Sequence, residues 1–386
     1  MNSLFQKPGL SFSKAGLYGF LTRSQIKNFA FFFHLGIVIL IAGTFLGGCE
    51  KASENKLTNK DIYLYQGLDR DQKLIEKAKK EGTVVVYTSM NLKDAGPFIE
   101  AFEQKYGIKA SFWRAARDKV VQRAVIEAKA ERFEVDVFEI NGPEMEMLYR
   151  EKILEEFYSP SFKDIPPEAF PPHKQYVADR FNFFVMAYNT KLVKPADVPN
   201  SYEDLLNPKW KGKISLERTD ADWFAAVVKG MGEEKGLAYF KKLAAMQPQI
   251  RKGHTLIAEL VASGEIPLTL SAFNHAVEKL KKKDASIEWK PLQPAFGQPG
   301  GVGVAKNAPH PHAALLFVDF VLSKEGQEII HERGRVPASR AVDSPLNKFK
   351  YQVIDPTIIL DEWDKWNKLW SDLFLGGKTL QKEEEQ

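Results

Sequence analysis

Cysteine is nearly absent: Cys49 is the only one in 386 residues. No intrachain disulfide and no cysteine-based zinc centre can form from it. Acidic residues are missing from residues 1–48, which carry Lys7, Lys14, Arg23 and Lys27. Setting those four aside leaves 50 basic residues against the 50 acidic ones, so the body after the leader is formally neutral. Nucleic-acid binding needs concentrated positive charge, and this body offers none. Catalytic signatures are missing too. There is no Gly-x-Ser-x-Gly elbow, no complete phosphate loop and no His-Glu-x-x-His pair. No enzyme activity, cofactor or resident metal is expected from the sequence.

A leader is present. Asn28 to Cys49 contains no charged residue, and its centre (Leu35, Ile37, Val38, Ile39, Leu40, Ile41) is strongly apolar. Basic residues precede this run and small ones close it, which is the order of a secretory signal. A run of this length also suits a permanent membrane anchor. Leu46-Gly47-Gly48-Cys49 resembles the bacterial lipobox, whose cysteine is acylated and becomes the new N-terminus. Residues 1–48 are therefore expected as a lipoprotein signal peptide, with lipidation at Cys49 and a flexible tether over 49–60. Either reading puts the folded part outside the cytoplasm, on the periplasmic or extracellular face of the membrane.

The body alternates short apolar strands with amphipathic helices. Thr83–Tyr87 and Val135–Phe138 read as buried strands, and Phe98, Phe102 and Tyr106 fall four apart on one helical face. Glu234–Ala245, Thr255–Ala262 and Ala276–Lys282 read as helices around a strand at Pro267–Leu270. The pattern predicts an α/β fold with βαβ units and a mainly parallel sheet. Near the C-terminus Trp363, Trp366, Leu369, Trp370 and Leu373 form a helical stripe suited to docking on the lobes.

Several ordered stretches carry a family resemblance. They are Glu81–Ser89, Ala187–Leu192, Tyr202–Lys213, Ser263–Pro267 and Ala308–Gln327. Together they resemble the extracellular solute-binding proteins of ABC importers, in the broad group that includes ferric-iron binders. The resemblance implies a type II periplasmic-binding fold: two α/β lobes joined by two crossing strands, near Phe183–Asn189 and Pro294–Val304. Lobe one is expected over 61–182 plus 300–386, and lobe two over 183–299. It further implies a monomer that takes a small solute from outside and delivers it to a membrane permease. A sensing lipoprotein, a ferric-iron carrier and an enzyme on the same fold are the alternatives.

Ligands of open α/β sheets bind beyond the carboxyl ends of the strands. Three such ends are legible, giving Ser89 and Asn91, then Glu139 and Asn141, then Ser271, Phe273, Asn274 and His275. Arg114 and Arg117 follow a strand-like Ala110–Trp113 and suit a carboxylate or phosphate. Tyr188 and Trp223 are candidate stacking residues. Ferric-iron binders of this group carry a tyrosine pair after the lobe-two strand, where this chain has Phe273-Asn274. Without phenolates there, the expected solute is organic or anionic and not iron.

Overall fold

The computed structural model describes residues 57–377, so Cys49, the signal segment and most of the tether lie outside the described residues. Among the described residues twelve strands form one sheet: β1 (Thr83–Thr88), β2 (Lys109–Arg114), β3 (Val137–Asn141), β4 (Leu154–Glu155), β5 (Val177–Asn189), β6 (Ile214–Glu217), β7 (Gln249–Arg251), β8 (Leu268–Phe273), β9 (Ile287–Lys290), β10 (Phe296–Ala305), β11 (Val336–Pro337) and β12 (Gln352–Val353). The main path runs β2-β1-β3-β10-β5-β8-β6-β7. β1 pairs parallel with β2 and β3, and β6 pairs parallel with β7 and β8. The long strands β5 and β10 run antiparallel to each other at the centre and to their outer neighbours β8 and β3. They are the two crossing strands, and β5 begins at Val177, ahead of the expected Phe183. The parallel groups on either side make the two lobes of an α/β fold.

Among the described residues thirteen α-helices pack around this sheet. In lobe one they are α1 (Asn59–Tyr63), α2 (Arg70–Glu81), α3 (Leu92–Tyr106), α4 (Arg117–Lys129) and α5 (Gly142–Arg150). Lobe two holds α6 (Ala221–Met231), α7 (Glu233–Ala245), α8 (His254–Ser263) and α9 (Asn274–Lys281). The chain then continues through α10 (Pro311–Leu322), α11 (Lys324–Glu332), α12 (Pro356–Asp361) and α13 (Trp363–Phe374). Local chemistry sets the boundaries. Asn91 caps α3 by accepting from the Lys93 amide at 3.0 Å, which satisfies one of the free donors of the first turn. Gly82 ends α2 at φ +75°, a left-handed conformation open to glycine at little cost.

The buried apolar residues form two clusters. The larger joins α2, α3, β1, β3 and α10 and continues along β5 to α8 and α9. The second packs β6, α6 and α7 around Trp223, Phe224 and Phe240. One expectation is corrected here. Residues 300–386 were placed wholly in lobe one, yet Ile354, Ile359, Trp366 and Trp370 belong to the second cluster. The Trp370 indole donates to the Arg218 carbonyl at 2.8 Å and packs edge to face with Trp223. The tryptophan stripe docks as expected, but onto α6 and α7, whose apolar face α13 covers together with Ile354 and Ile359. Among the described residues no helix is long and apolar enough to cross a membrane.

Candidate ligand-binding site

A cleft of about 410 Å³ opens between the carboxyl ends of the two parallel groups. Lobe one contributes Ser89, Asn91, Arg114, Arg117 and Asn141, and lobe two contributes Phe273 and His275. Seven of the twelve candidate binding residues therefore meet in one place. The size and the few convergent polar groups match a small-solute pocket. An adjoining cavity of about 510 Å³ shares Arg117, Thr219 and Asp222 with the cleft and is closed by α5 and the α12–α13 turn.

Five candidates do not line the cleft. Trp223 is 1% exposed and forms part of the second core, and Tyr188 sits far along β5, beside Leu268 and Glu288. Their aromatic surface goes into packing, which is the commoner use of such side chains. Ser271 and Asn274 are fully buried beneath the wall. The Ser271 hydroxyl accepts from the Glu217 amide, and the Asn274 amide donates to the Leu346 carbonyl. Glu139 is buried as well. Its carboxylate takes a hydrogen bond from Thr88 and an ion pair from Arg180. It supports the floor of the cleft and does not face it.

The remaining polar and aromatic lining residues lie outside the sequence-based candidates: Arg180, Asn182 and Phe184 on β5, Gln298 on β10, Thr219, Asp220 and Asp222 after β6, His254, and Arg335. The segment Thr219–Asp222 follows a strand just as Ser89 does, and that signal was available. His254 and Arg335 reach the cleft through tertiary folding alone.

Charges in the lobe-one floor are matched. Arg180 pairs with Glu139 and with both Asp179 oxygens, the latter at 2.8 and 2.9 Å. A Cβ on Gly300 would lie 2.6 Å from the Arg180 guanidinium carbon, so the bare glycine lets the arginine lie against β10. Arg335 donates to Asp94 at 2.8 Å and to Asn182 at 3.3 Å. Burial opposes ionisation of Asp94, but Arg335 and Lys279 outweigh it and hold the carboxyl below its usual range. Lys279 lies on α9 of lobe two, and its 3.2 Å contact with Asp94 links the lobes across the mouth.

The lobe-two wall differs. Burial pushes the Asp220 carboxyl up to about 7, and Glu217 and Asp222 add to the rise. Burial also works against a charged His254, yet Asp220 at 3.1 Å overrides it and lifts the imidazole to about 9. The imidazolium faces the carboxylate in the interval between. Burial likewise raises Asp222. A relay joins the two sides: Asn141 donates to Gln298 at 3.2 Å, and Gln298 donates to Asp222 at 2.6 Å. Arg117, 3.7 Å from Glu144, is further stabilised in its charged form by Glu144 first and then by Asp222 and Glu217 across the cleft.

Two lobes, two long crossing strands and a polar cleft between opposed strand ends define a clamshell binding protein of the type II periplasmic class. The sequence profile described as bacterial extracellular solute-binding protein matches residues 135–368, and the chain belongs to that family. Members act outside the cytoplasm as the solute-binding components of ABC transporters. Among its relatives is the Fe(3+)-binding periplasmic protein of Serratia marcescens, 24% identical over 265 residues, which spans 66% of this chain and 78% of the relative. A putative 2-aminoethylphosphonate-binding periplasmic protein of Salmonella typhimurium is 25% identical over 309 residues, spanning 76% of this chain and 88% of the relative. Of the solved structures, iron-bound HitA from Pseudomonas aeruginosa superposes with a TM-score of 0.66 at 22% identity, covering 75% of this chain and 99% of HitA. The periplasmic binding protein AfuA from Actinobacillus pleuropneumoniae, with fructose-6-phosphate bound, gives 0.63 at 26% identity, covering 76% and 99%.

Proposed function

We propose that this chain is an exported, lipid-anchored monomer that closes its lobes on a small organic solute carrying an anionic group and hands it to an import permease. The observation that carries this reading is the convergence of Arg114, Arg117, Ser89, Asn91 and Asn141 on one wall of the cleft. The Arg114 side chain makes no hydrogen bond or ion pair among the described residues, so its guanidinium is open to a carboxylate, phosphonate or phosphate. The names of the relatives that bind an aminophosphonate and a sugar phosphate favour the same chemistry. Iron held by a tyrosine pair is disfavoured, because Phe273 ends β8, Asn274 opens α9, and Asn274 is buried against Leu346. We read the protein as a binder and not a catalyst, since the cleft collects positioning groups and the relatives' names are those of binding proteins.

The anchor rests on Leu46-Gly47-Gly48-Cys49. Intact mass of the mature protein should show an acylated Cys49, and Cys49→Ala should release or misprocess it. The solute is identified by mass spectrometry of whatever co-purifies, followed by thermal shift with carboxylates, phosphonates and phosphates. A ligand at 100 times its Kd stabilises by about 2.7 kcal/mol, enough for a clear rise in Tm. Small-angle scattering should show compaction with the hit, because ligand contacts to both lobes favour the closed form. Failure of every anionic solute to raise Tm would sink the proposed ligand class.

A further inference from the structure

We infer that lobe two carries a binding site for a divalent first-row transition-metal ion, built from Glu217, Asp220 and His254 in the wall of the cleft. One donor atom from each lies within 4.8 Å of the other two. Glu217 ends β6, Asp220 precedes α6 and His254 opens α8. The fold thus brings three chain segments to a single point. The cluster draws no ligand from lobe one, and its donors are different residues from Phe273-Asn274, although the His254 ring packs on Phe273 with centroids 3.9 Å apart.

Each donor is already oriented. His254 Nδ1 donates to the Ser271 carbonyl at 2.8 Å, which turns Nε2 toward Asp220, 3.1 Å away. A backbone acceptor on the far nitrogen is the usual outer-shell support of a metal-binding histidine. Glu217 is fixed by the Gly253 amide at 2.9 Å and by the Thr219 hydroxyl at 2.6 Å. Asp220 supplies an independent sign of a missing partner. It is only 2% exposed, and its Oδ2 is buried with no hydrogen-bond donor among the described residues. A buried carboxylate oxygen left unmatched is costly unless something positive occupies its front.

One imidazole and two carboxylates make a donor set suited to zinc, manganese, cobalt or ferrous ions. Three protein ligands leave a coordination position open, as metal sites that take up an exogenous group do. Asp220 and His254 both line the cleft, so that position faces the solute. The ion would then hold an anionic oxygen from the lobe-two side while Arg114 and Arg117 hold the solute from lobe one. This role rests on the proposed function; metal binding itself does not.

The test uses mature protein stripped with EDTA and then titrated with Co(II) and Zn(II) alone. One equivalent should bind, with visible Co(II) d–d bands and a zinc X-ray absorption shell of one imidazole and carboxylate oxygens. Asp220→Asn and His254→Gln should each weaken binding by about 100-fold or more, at least the loss seen when outer-shell partners are removed. His312→Gln, which alters the distant contact with Glu81, should leave it unchanged. Wild-type protein that takes up no ion, an all-oxygen shell, or affinities unchanged in both variants would overturn the site. The wild-type spectra decide the matter even if a variant fails to fold. Solute binding by the stripped protein, read by thermal shift, separates the two claims: solute uptake without metal uptake refutes only the metal site.

Discussion

The two walls of the cleft use charge in opposite ways. On lobe one the buried ions come in matched sets, Arg180 with Glu139 and Asp179, and Arg335 with Asp94. Asp94 is accordingly held below its usual range. On lobe two, three carboxylates gather around one histidine, and Asp220 is pushed up to about 7. The buried floor of the first wall is matched without a ligand, with the Arg114 guanidinium left open above it. The second is short of positive charge. Matched ions fix a shape, whereas unmatched ones favour whatever arrives to neutralise them.

The largest test of this contrast is Arg180→Ala. Removing it strands Glu139 and Asp179 in the interior, and breaking a buried pair in this way costs about 3–5 kcal/mol. Urea unfolding should show that loss; a change under ~1 kcal/mol would mean the lobe-one set is not structural. His254→Gln should be milder and pH-dependent. The folded pKa of His254 is raised to about 9 from the 6.5 of a free imidazole, so its stabilisation is fully present below 6.5 and lost as pH rises through about 9. At 1.36 kcal/mol per unit this comes to roughly 3 kcal/mol near pH 6, shrinking toward zero by pH 10. Equal penalties at both pH values would refute the pairing.

Asp220→Asn should change stability by only ~1 kcal/mol in either direction, since its ionised form is already disfavoured by burial. Ligand affinity should nevertheless fall. That combination, little stability lost and much binding lost, is what separates lobe two from lobe one. Lys279→Gln should be smallest. Lys279 is itself half-exposed, so its contact with the buried Asp94 contributes about 1 kcal/mol or less, and Arg335 still covers the aspartate. Its readout is the scattering profile of the free protein, which should shift toward the open form.

Much of the frame was legible because the body keeps strand and helix periods cleanly separate. Phe98 and Phe102 are buried on one face of α3 as their spacing requires, and β1 and β3 end where Ser89 and Asn141 enter the cleft. Legibility failed where position depends on long-range pairing. Arg180 and Gln298 lie in crossing strands, which read as connectors because nothing local marks one side chain as facing the cleft. Asp220 and His254 meet only after β6 and β8 pair and α8 folds back. Tyr188 and Trp223 misled for a related reason: an aromatic residue does not announce which side of a strand or helix it will occupy. The destination of α13 was hidden too, since its stripe fits any apolar face and only the folded lobe two exposes one.

The path of the chain between its ends has a practical consequence. α1 is held on lobe one, where Asn59 donates to the Lys306 and Ala308 carbonyls, while α13 is embedded in lobe two. A fluorescent donor placed just before α1 and an acceptor just after α13 would therefore ride on opposite jaws. Their energy transfer would report each capture event directly, making the protein its own optical sensor before its solute has been named.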